Sequence, residues 1–257
     1  MSSLSLEGRV AIITGASRGI GQGIAEAYAQ AGARLVLCSR SLDRVQPVAD
    51  AIQAAGGQAI AVACHTGDDG QVQALVQTAL SHFGRLDVAV NNAGTNPHFG
   101  PVLFADDAVW AKTFDTNLLG YMRVIRHAVP AFEKSGGGKI INVASVAGIN
   151  PMPGIGVYGV TKAAVIMLTK TMAIELAHAN IQVNAIAPGV IKTRFAKLLY
   201  ETPEIADMVL RTTPAKRFGE VDDVVGAAVY LAAPASDYTT GTVMIVDGGG
   251  HLTSFSM

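Results

Sequence analysis

Tyr158 and Lys162 stand four residues apart in Val157–Ala177, a stretch whose pattern predicts a helix. Side chains at that spacing share one helix face. A free phenol titrates near pH ~10, too high for a base at neutral pH. At ~4 Å and an effective dielectric of ~20, an ammonium favours the phenolate by roughly 4 kcal/mol. That corresponds to about three pKa units, so the pair is expected to move protons at working pH. The same spacing occurs on ordinary amphipathic helices, and the surrounding residues decide between the two readings. Ser145 closely follows the expected strand Lys139–Val143, at the carboxyl edge where open α/β sheets hold their ligands. A hydroxyl there can bond a reacting oxygen and stabilise developing charge. Asn117 falls inside the predicted helix Asp107–Lys134, although asparagine is a poor helix former.

A second group of residues suits an anion. Thr14-Gly15-Ala16-Ser17-Arg18-Gly19-Ile20-Gly21 joins the apolar run Arg9–Thr14 to a predicted helix, Gly19–Ala31. Glycines let the backbone approach a phosphate closely, and the helix that follows aims its first amides at it. A strand before and a helix after are the setting a dinucleotide turn requires. The spacing is TGxxxGxG rather than GxGxxG.

The elements that must carry these residues read as an alternation. Further apolar runs at Arg34–Ser39, Ala59–Cys64, Leu86–Val90, Lys139–Val143, Ile181–Ile186 and Thr242–Val246 predict strands. Helical patterns cover Ser41–Ala55, disturbed early by Pro47, then Gln71–Phe83 and Val221–Ala232. Continuous apolar strands alternating with helices imply an α/β fold, a doubly wound parallel sheet of seven strands covered on both faces. No linker divides the chain, so a single domain over 1–257 is expected. Pro188–Arg217 shows no clear period, and a substrate lid is expected at about 190–217. Only 15% of residues are charged, below the usual quarter, which suggests surface covered by sister subunits. Lys+Arg 19 balance Asp+Glu 20 without a basic stripe, so no nucleic-acid partner is expected. Cys38 and Cys64 lack CxxC or metal-ligand spacing and read as reduced thiols, with no metal site. Met1–Gly8 carries no apolar signal core, and no run approaches the ~20 apolar residues of a membrane span. A cytoplasmic protein without a membrane partner is the expectation.

The order of these motifs resembles the short-chain dehydrogenase/reductase family along the whole chain. Asn91-Asn92-Ala93-Gly94 is similar to its NNAG motif, Asn117 to its helix asparagine, and Ser145, Tyr158 and Lys162 to its serine and YxxxK pair. Pro188, Gly189, Ile191 and Thr193 resemble the segment at the nicotinamide end, and Asp247-Gly248-Gly249 the last-strand ending. The resemblance implies a Rossmann-type fold and hydride transfer between a nicotinamide and a carbonyl or alcohol carbon. It implies Asn117, Ser145, Tyr158 and Lys162 as catalytic residues, with Asn117 holding a water that relays protons from Lys162. It further implies cofactor contacts from Gly15, Ser17, Arg18, Gly19, Ile20, Gly21, Asn92, Ala93, Gly94, Tyr158, Lys162, Pro188, Gly189, Ile191 and Thr193, and a homotetramer.

Cofactor choice turns on the end of the second strand. NAD-preferring enzymes carry a carboxylate there, whereas this chain has Ser39 followed by Arg40. Arg40 and Arg18 are expected to clasp a 2′-phosphate, so NADP(H) is preferred and NAD(H) is the alternative. His65 stands where many relatives carry an adenine-contacting Asp, with Asp68 nearby. For the substrate, Gly136 and Ala179 occupy positions where reductases of carrier-bound 3-oxoacyl groups have docking arginines. A 3-oxoacyl-[acyl-carrier-protein] reductase stays as an alternative because Lys134, Lys139 and His178 are close by. The stretch Asn96–Pro101, including His98, resembles the carbonyl reductase branch. Phe195, Leu198, Leu199, Tyr200 and Met208 in the lid predict an apolar pocket for a small carbonyl or alcohol. Enoyl reductases of the family space Tyr and Lys farther apart, and silent cofactor-binding sensors lose one of them.

Overall fold

The computed structural model describes residues 3–253; the four residues 254–257, Met1 and Ser2 of the expected 1–257 domain lie outside them. Seven short apolar runs pair side by side: β1 (Val10–Thr14), β2 (Arg34–Ser39), β3 (Gln58–Ala63), β4 (Val88–Asn91), β5 (Gly138–Val143), β6 (Ile181–Pro188) and β7 (Val243–Val246). All neighbours are parallel, in the order β3-β2-β1-β4-β5-β6-β7. Parallel pairing needs crossovers, which α1 (Gly19–Gln30), α2 (Leu42–Ala54) and α3 (Asp69–Phe83) supply in the first half. In the second half they are α4 (Asp107–Phe114), α5 (Gly120–Lys134), α6 (Gly156–Glu175), α7 (Lys197–Glu201), α8 (Pro203–Thr212) and α9 (Val221–Ala232).

β1 is buried along its whole length, which is why its sequence is a continuous apolar run rather than an alternation. Ile13 and Leu35 face one layer with Ile24, Tyr28, Val224 and Leu231 of α1 and α9. Ile12 and Val36 face the other, with Val72, Leu75, Val124 and Phe132 of α3 and α5. The chain runs outward from β1 to β3 and then returns to β4 on β1's other side. Ligand crevices form at such a reversal, outside the strands' carboxyl ends. The fold therefore gathers the residues after β1, β4, β5 and β6 at one edge.

Three expectations change. The long helix expected over 107–134 is α4 and α5 joined by a π-helical turn, Asp115–Leu119. Wider turns of this kind recur at functional sites, and this one carries Asn117. Pro47 leaves α2 continuous; it and Asp43, whose carbonyl it leaves unpaired, are both exposed, so solvent takes the place of the lost amide. The expected lid is itself helical, with a 3-10 turn at Arg194–Ala196 followed by α7 and α8. Its ends are pinned together where the Gly219 amide donates to the Val190 carbonyl (3.0 Å) and the Lys192 amide to the Gly219 carbonyl (2.8 Å).

Candidate active site

The turn after β1 is shaped by how closely the turn after β4 approaches it. Gly15 has φ +65°, and a Cβ on it would lie 2.9 Å from Ala93 Cα. A Cβ on Gly21 would lie 2.4 Å from both Asn92 Nδ2 and the Gly15 carbonyl. Asn92 Nδ2 donates to the carbonyls of Thr14 (2.9 Å) and Gly15 (3.1 Å). Thr14 Oγ1 accepts from the Asn92 and Ala93 amides at 3.0 and 3.1 Å and donates to the Val90 carbonyl. Gly19, at φ +57°, lies against Thr193, whose Cγ2 would be 3.2 Å from its Cβ. Arg18 begins α1 without a side-chain cap, so the first amides keep their capacity for an anion. A backbone cradle with no room for side chains, at a helix N-terminus, fits a dinucleotide pyrophosphate.

The Ala16 amide donates to the Cys38 carbonyl at 3.0 Å, which brings Ser17 and Arg18 beside the end of β2. Ser39 donates to the Ser41 carbonyl (2.7 Å). Among the described residues Arg18 and Arg40 make no side-chain hydrogen bond or ion pair, and both are exposed. His65 is committed locally, its Nδ1 accepting from the Gly67 amide at 2.9 Å. Asp68 caps α3 through the Gln71 amide and also takes Gln71 Nε2.

On the other side of the cleft, Asn117 is fully buried. Its Oδ1 accepts from the Thr95 amide (2.8 Å), and its Nδ2 donates to the Thr95 carbonyl (2.9 Å) and Thr161 Oγ1 (3.0 Å). This accounts for an asparagine inside a helix: it ties the loop after β4 to α6. A Cβ on Gly94 would lie 3.6 Å from Asn117 Oδ1 and 4.0 Å from Lys162 Nζ, so the cradle and the Tyr–Lys helix meet here. Ser145 leaves β5 in extended conformation, its Oγ accepting from the Ala147 amide at 3.1 Å, and its hydroxyl lies near enough to Tyr158 to draw the phenol's pKa downward.

Lys162 Nζ donates to the Val143 carbonyl (2.6 Å) and the Tyr121 hydroxyl (3.2 Å). It stands 5.6 Å from the Tyr158 ring centroid. Burial pushes Lys162 down to about 7. Burial likewise pushes the Tyr158 phenol up to about 12, against the opposing pull of Ser145. The expected lowering of the phenol by its neighbouring ammonium is not what the structure gives: the phenol stands above its ordinary value and the amine below its own. Desolvation penalises both charged forms, and Nζ is spent on Val143 and Tyr121.

The segment 190–217 reaches this edge, with the Phe195 ring 5.6 Å from the Tyr158 ring. Beneath α8 lies a cavity of about 150 Å³ lined by Ile191, Val209, Thr213 and Phe218. Beside it a smaller one, about 40 Å³, is lined by Val146, Asn150, Met152, Val190 and His251. His251 Nδ1 meets Asp247 Oδ2 at 2.9 Å. Tyr121 and this Asp–His pair were not anticipated from the sequence, although each has a signal in its spacing: Tyr121 comes four residues after Asn117, and His251 four after Asp247. His98, in the stretch Asn96–Pro101, contacts the Pro101 carbonyl (3.1 Å). Of the basic groups near Gly136 and Ala179, Lys139 is buried and bound to Asp237 (2.7 Å) and Ser236 (3.2 Å), which removes it as a docking charge. Lys134 is exposed, and His178 Nδ1 contacts the Glu175 carbonyl.

Comparison with known proteins places this geometry. A family model described as Enoyl-(Acyl carrier protein) reductase matches residues 15–251. The chain is 38% identical over 244 residues to Dehydrogenase/reductase SDR family member 4 of Oryctolagus cuniculus, covering 95% of this chain and 94% of that one. It is 38% identical over 249 residues to 7alpha-hydroxysteroid dehydrogenase of Escherichia coli strain K12, covering 96% of each. A solved 7 alpha-hydroxysteroid dehydrogenase, complexed with NADH and 7-oxo glycochenodeoxycholic acid, matches with a TM-score of 0.92 at 38% identity and 96% coverage of each chain. A gluconate 5-dehydrogenase from Burkholderia cenocepacia J2315, in complex with NADP and tartrate, matches with a TM-score of 0.94 at 35% identity and 98% coverage of each. The chain belongs to the short-chain dehydrogenase/reductase family, and is an NAD(P)-dependent oxidoreductase that interconverts a carbonyl and an alcohol.

Proposed function

We propose that Tyr158 is the proton donor and acceptor of this enzyme, that NADP(H) is its preferred cofactor, and that its substrates are free apolar ketones, aldehydes or alcohols. The observation that carries the reading is the meeting of Ser145, Tyr158, Lys162 and Asn117 beside the glycine cradle at one sheet edge. The nicotinamide, when bound, supplies or accepts the hydride. Gly15, Ser17, Gly19, Ile20 and Gly21 hold its pyrophosphate side, with Asn92, Ala93 and Gly94 opposite and Pro188, Gly189, Ile191 and Thr193 at the nicotinamide end. Ser145 bonds the substrate oxygen. Tyr158 passes its proton to that oxygen in reduction and takes it back in oxidation. Lys162 supplies positive charge behind the phenol, and Asn117 fixes the loop and helix around it.

Arg18 and Arg40, both without protein partners among the described residues, support a 2′-phosphate, as does the absence of a carboxylate at Ser39. The relatives do not decide the matter, one being solved with NADH and another with NADP. The apolar reading rests on Phe195 beside Tyr158 and on Val146, Met152, Val190 and Val209 around the cavities. Against a carrier-bound substrate stand Gly136, Ala179 and the buried Lys139, since an acidic carrier docks through complementary charge. Free Cys38 and Cys64 support a cytoplasmic enzyme. Val160, Met167 and Ile174, exposed at seven-residue intervals on α6, support a homotetramer.

The test is NADPH oxidation, followed by absorbance at low ionic strength, with small apolar ketones and with a 3-oxoacyl carrier thioester. Higher catalytic efficiency on the ketones is expected. Much higher efficiency on the thioester would replace this reading with the fatty-acid one.

A further inference from the structure

Tyr121 is 1% exposed on α5, in a small core with Ala144, Val165, Ala185 and Ala187. Packing there would be met by a phenylalanine, and the hydroxyl needs a separate reason. That hydroxyl donates to the Val143 carbonyl at 3.1 Å and accepts from Lys162 Nζ at 3.2 Å. Lys162 Nζ also donates to the same carbonyl at 2.6 Å, so the three polar atoms close a triangle. The Tyr121 ring centroid is 5.1 Å from Nζ, which sits beyond the hydroxyl rather than over the ring.

An ammonium has only donors to place. Inside the protein each acceptor it finds favours the charged form over the neutral amine, and an aromatic face does the same. Burial works in the opposite direction and holds Lys162 down at about 7. The titratable groups facing Nζ are Tyr121 from α5 and Tyr158 from its own helix. Among the described residues no carboxylate, imidazole or second cation bonds or pairs with it. The supports of the charge are thus the Val143 carbonyl and the Tyr121 hydroxyl, with the Tyr158 ring 5.6 Å away.

We propose that Tyr121 is a positioning residue for the reaction: its hydroxyl seats Lys162 Nζ on the Val143 carbonyl and keeps that nitrogen protonated behind Tyr158. The inference rests on the reading of Tyr158 and Lys162 as the proton-handling pair. Without the hydroxyl the ammonium loses an acceptor and gives up its proton at lower pH. Carbonyl reduction needs the ammonium, so its rate falls on the alkaline side of the Lys162 titration.

The experiment is the pH profile of kcat for ketone reduction at saturating cofactor, in wild type, Tyr121→Phe and Tyr158→Phe. In Tyr121→Phe the alkaline limb is expected to move down by about one pH unit, the size of a lost hydrogen bond to a charged group. The plateau at lower pH is kept, and so is the cofactor affinity read by nicotinamide fluorescence. Incorporating 3-fluorotyrosine at position 121 keeps the shape and weakens the oxygen as an acceptor. It guards against loss of fold in Tyr121→Phe and is expected to move the limb the same way by less. Profiles that superpose on wild type in a folded Tyr121→Phe or fluorotyrosine protein would overturn the inference, whatever the change in melting temperature. If Tyr158→Phe were active, the reading beneath would fail instead, so the two failures are distinct.

Discussion

Replacing Lys162 by Met is expected to abolish turnover and yet stabilise the cofactor-free protein at neutral pH. Lys162 is 2% exposed, and burial lowers it from 10.5 to about 7. The unfolded chain keeps this proton up to about pH 10.5, whereas the folded chain releases it near 7. Between those values the unfolded state binds more protons, so wild-type stability rises with pH across that window. Below about 7 the penalty is present in full. A shift of about 3.5 units at about 1.4 kcal/mol each amounts to roughly 5 kcal/mol. Methionine fills similar space without charge but forfeits the bonds to Val143 and Tyr121, at about 1 kcal/mol apiece. The net gain is about 3 kcal/mol at pH 7 or below, or roughly 8 °C in Tm for a chain of this length. Near pH 10 the order reverses, because the wild type keeps its two bonds and has shed the penalty. Urea denaturation of both proteins against pH, at one protein concentration so that any self-association contributes equally, reads this directly. A Met variant no more stable than wild type at pH 7, with a flat difference to pH 10, would refute the burial argument.

Other outcomes follow from the cradle and the cofactor end. Gly21→Ala would place a methyl 2.4 Å from Asn92 Nδ2 and the Gly15 carbonyl; cofactor affinity by fluorescence titration is expected to fall by about five- to 150-fold, since overpacking costs about 1–3 kcal/mol, and unchanged affinity would contradict the close approach. Ser39→Asp is expected to shift the kcat/KM ratio towards NADH by setting a carboxylate against the 2′-phosphate, and equal wild-type efficiency with both cofactors would contradict the Arg18–Arg40 clasp.

Most of the sheet was legible because its strands are buried on both faces. β2 falls at Arg34–Ser39, as read from sequence, and the other strands shift by one or two residues at their ends. The candidate site was legible for a related reason. A parallel sheet places the turns after β1, β4 and β5 at one edge, so Gly15, Asn92 and Ser145 converge without any long-range guess. The π-helical turn was not visible, because one wider turn leaves the apolar pattern of 107–134 nearly unchanged. α7, at five residues, is too short for a helical period to emerge; α8 does carry one, with Ile205, Met208 and Val209 at helical spacing behind Pro203, and that period was overlooked in a stretch read as aperiodic. Tyr121 reads as ordinary core from sequence, an aromatic on a buried helix face, until its hydroxyl is seen against Lys162. Spacing put Lys162 near Tyr158 but carried no information on desolvation, which here is the largest influence on both groups.

The central claim, that Tyr158 handles the proton, is tested most directly by Tyr158→Phe, which keeps the ring against Phe195 and removes only the hydroxyl. Single-turnover reduction of a ketone by bound NADPH is expected to slow by about 10²–10⁴-fold, the contribution of a general acid, with cofactor affinity unchanged. A rate within a few-fold of wild type would contradict the account.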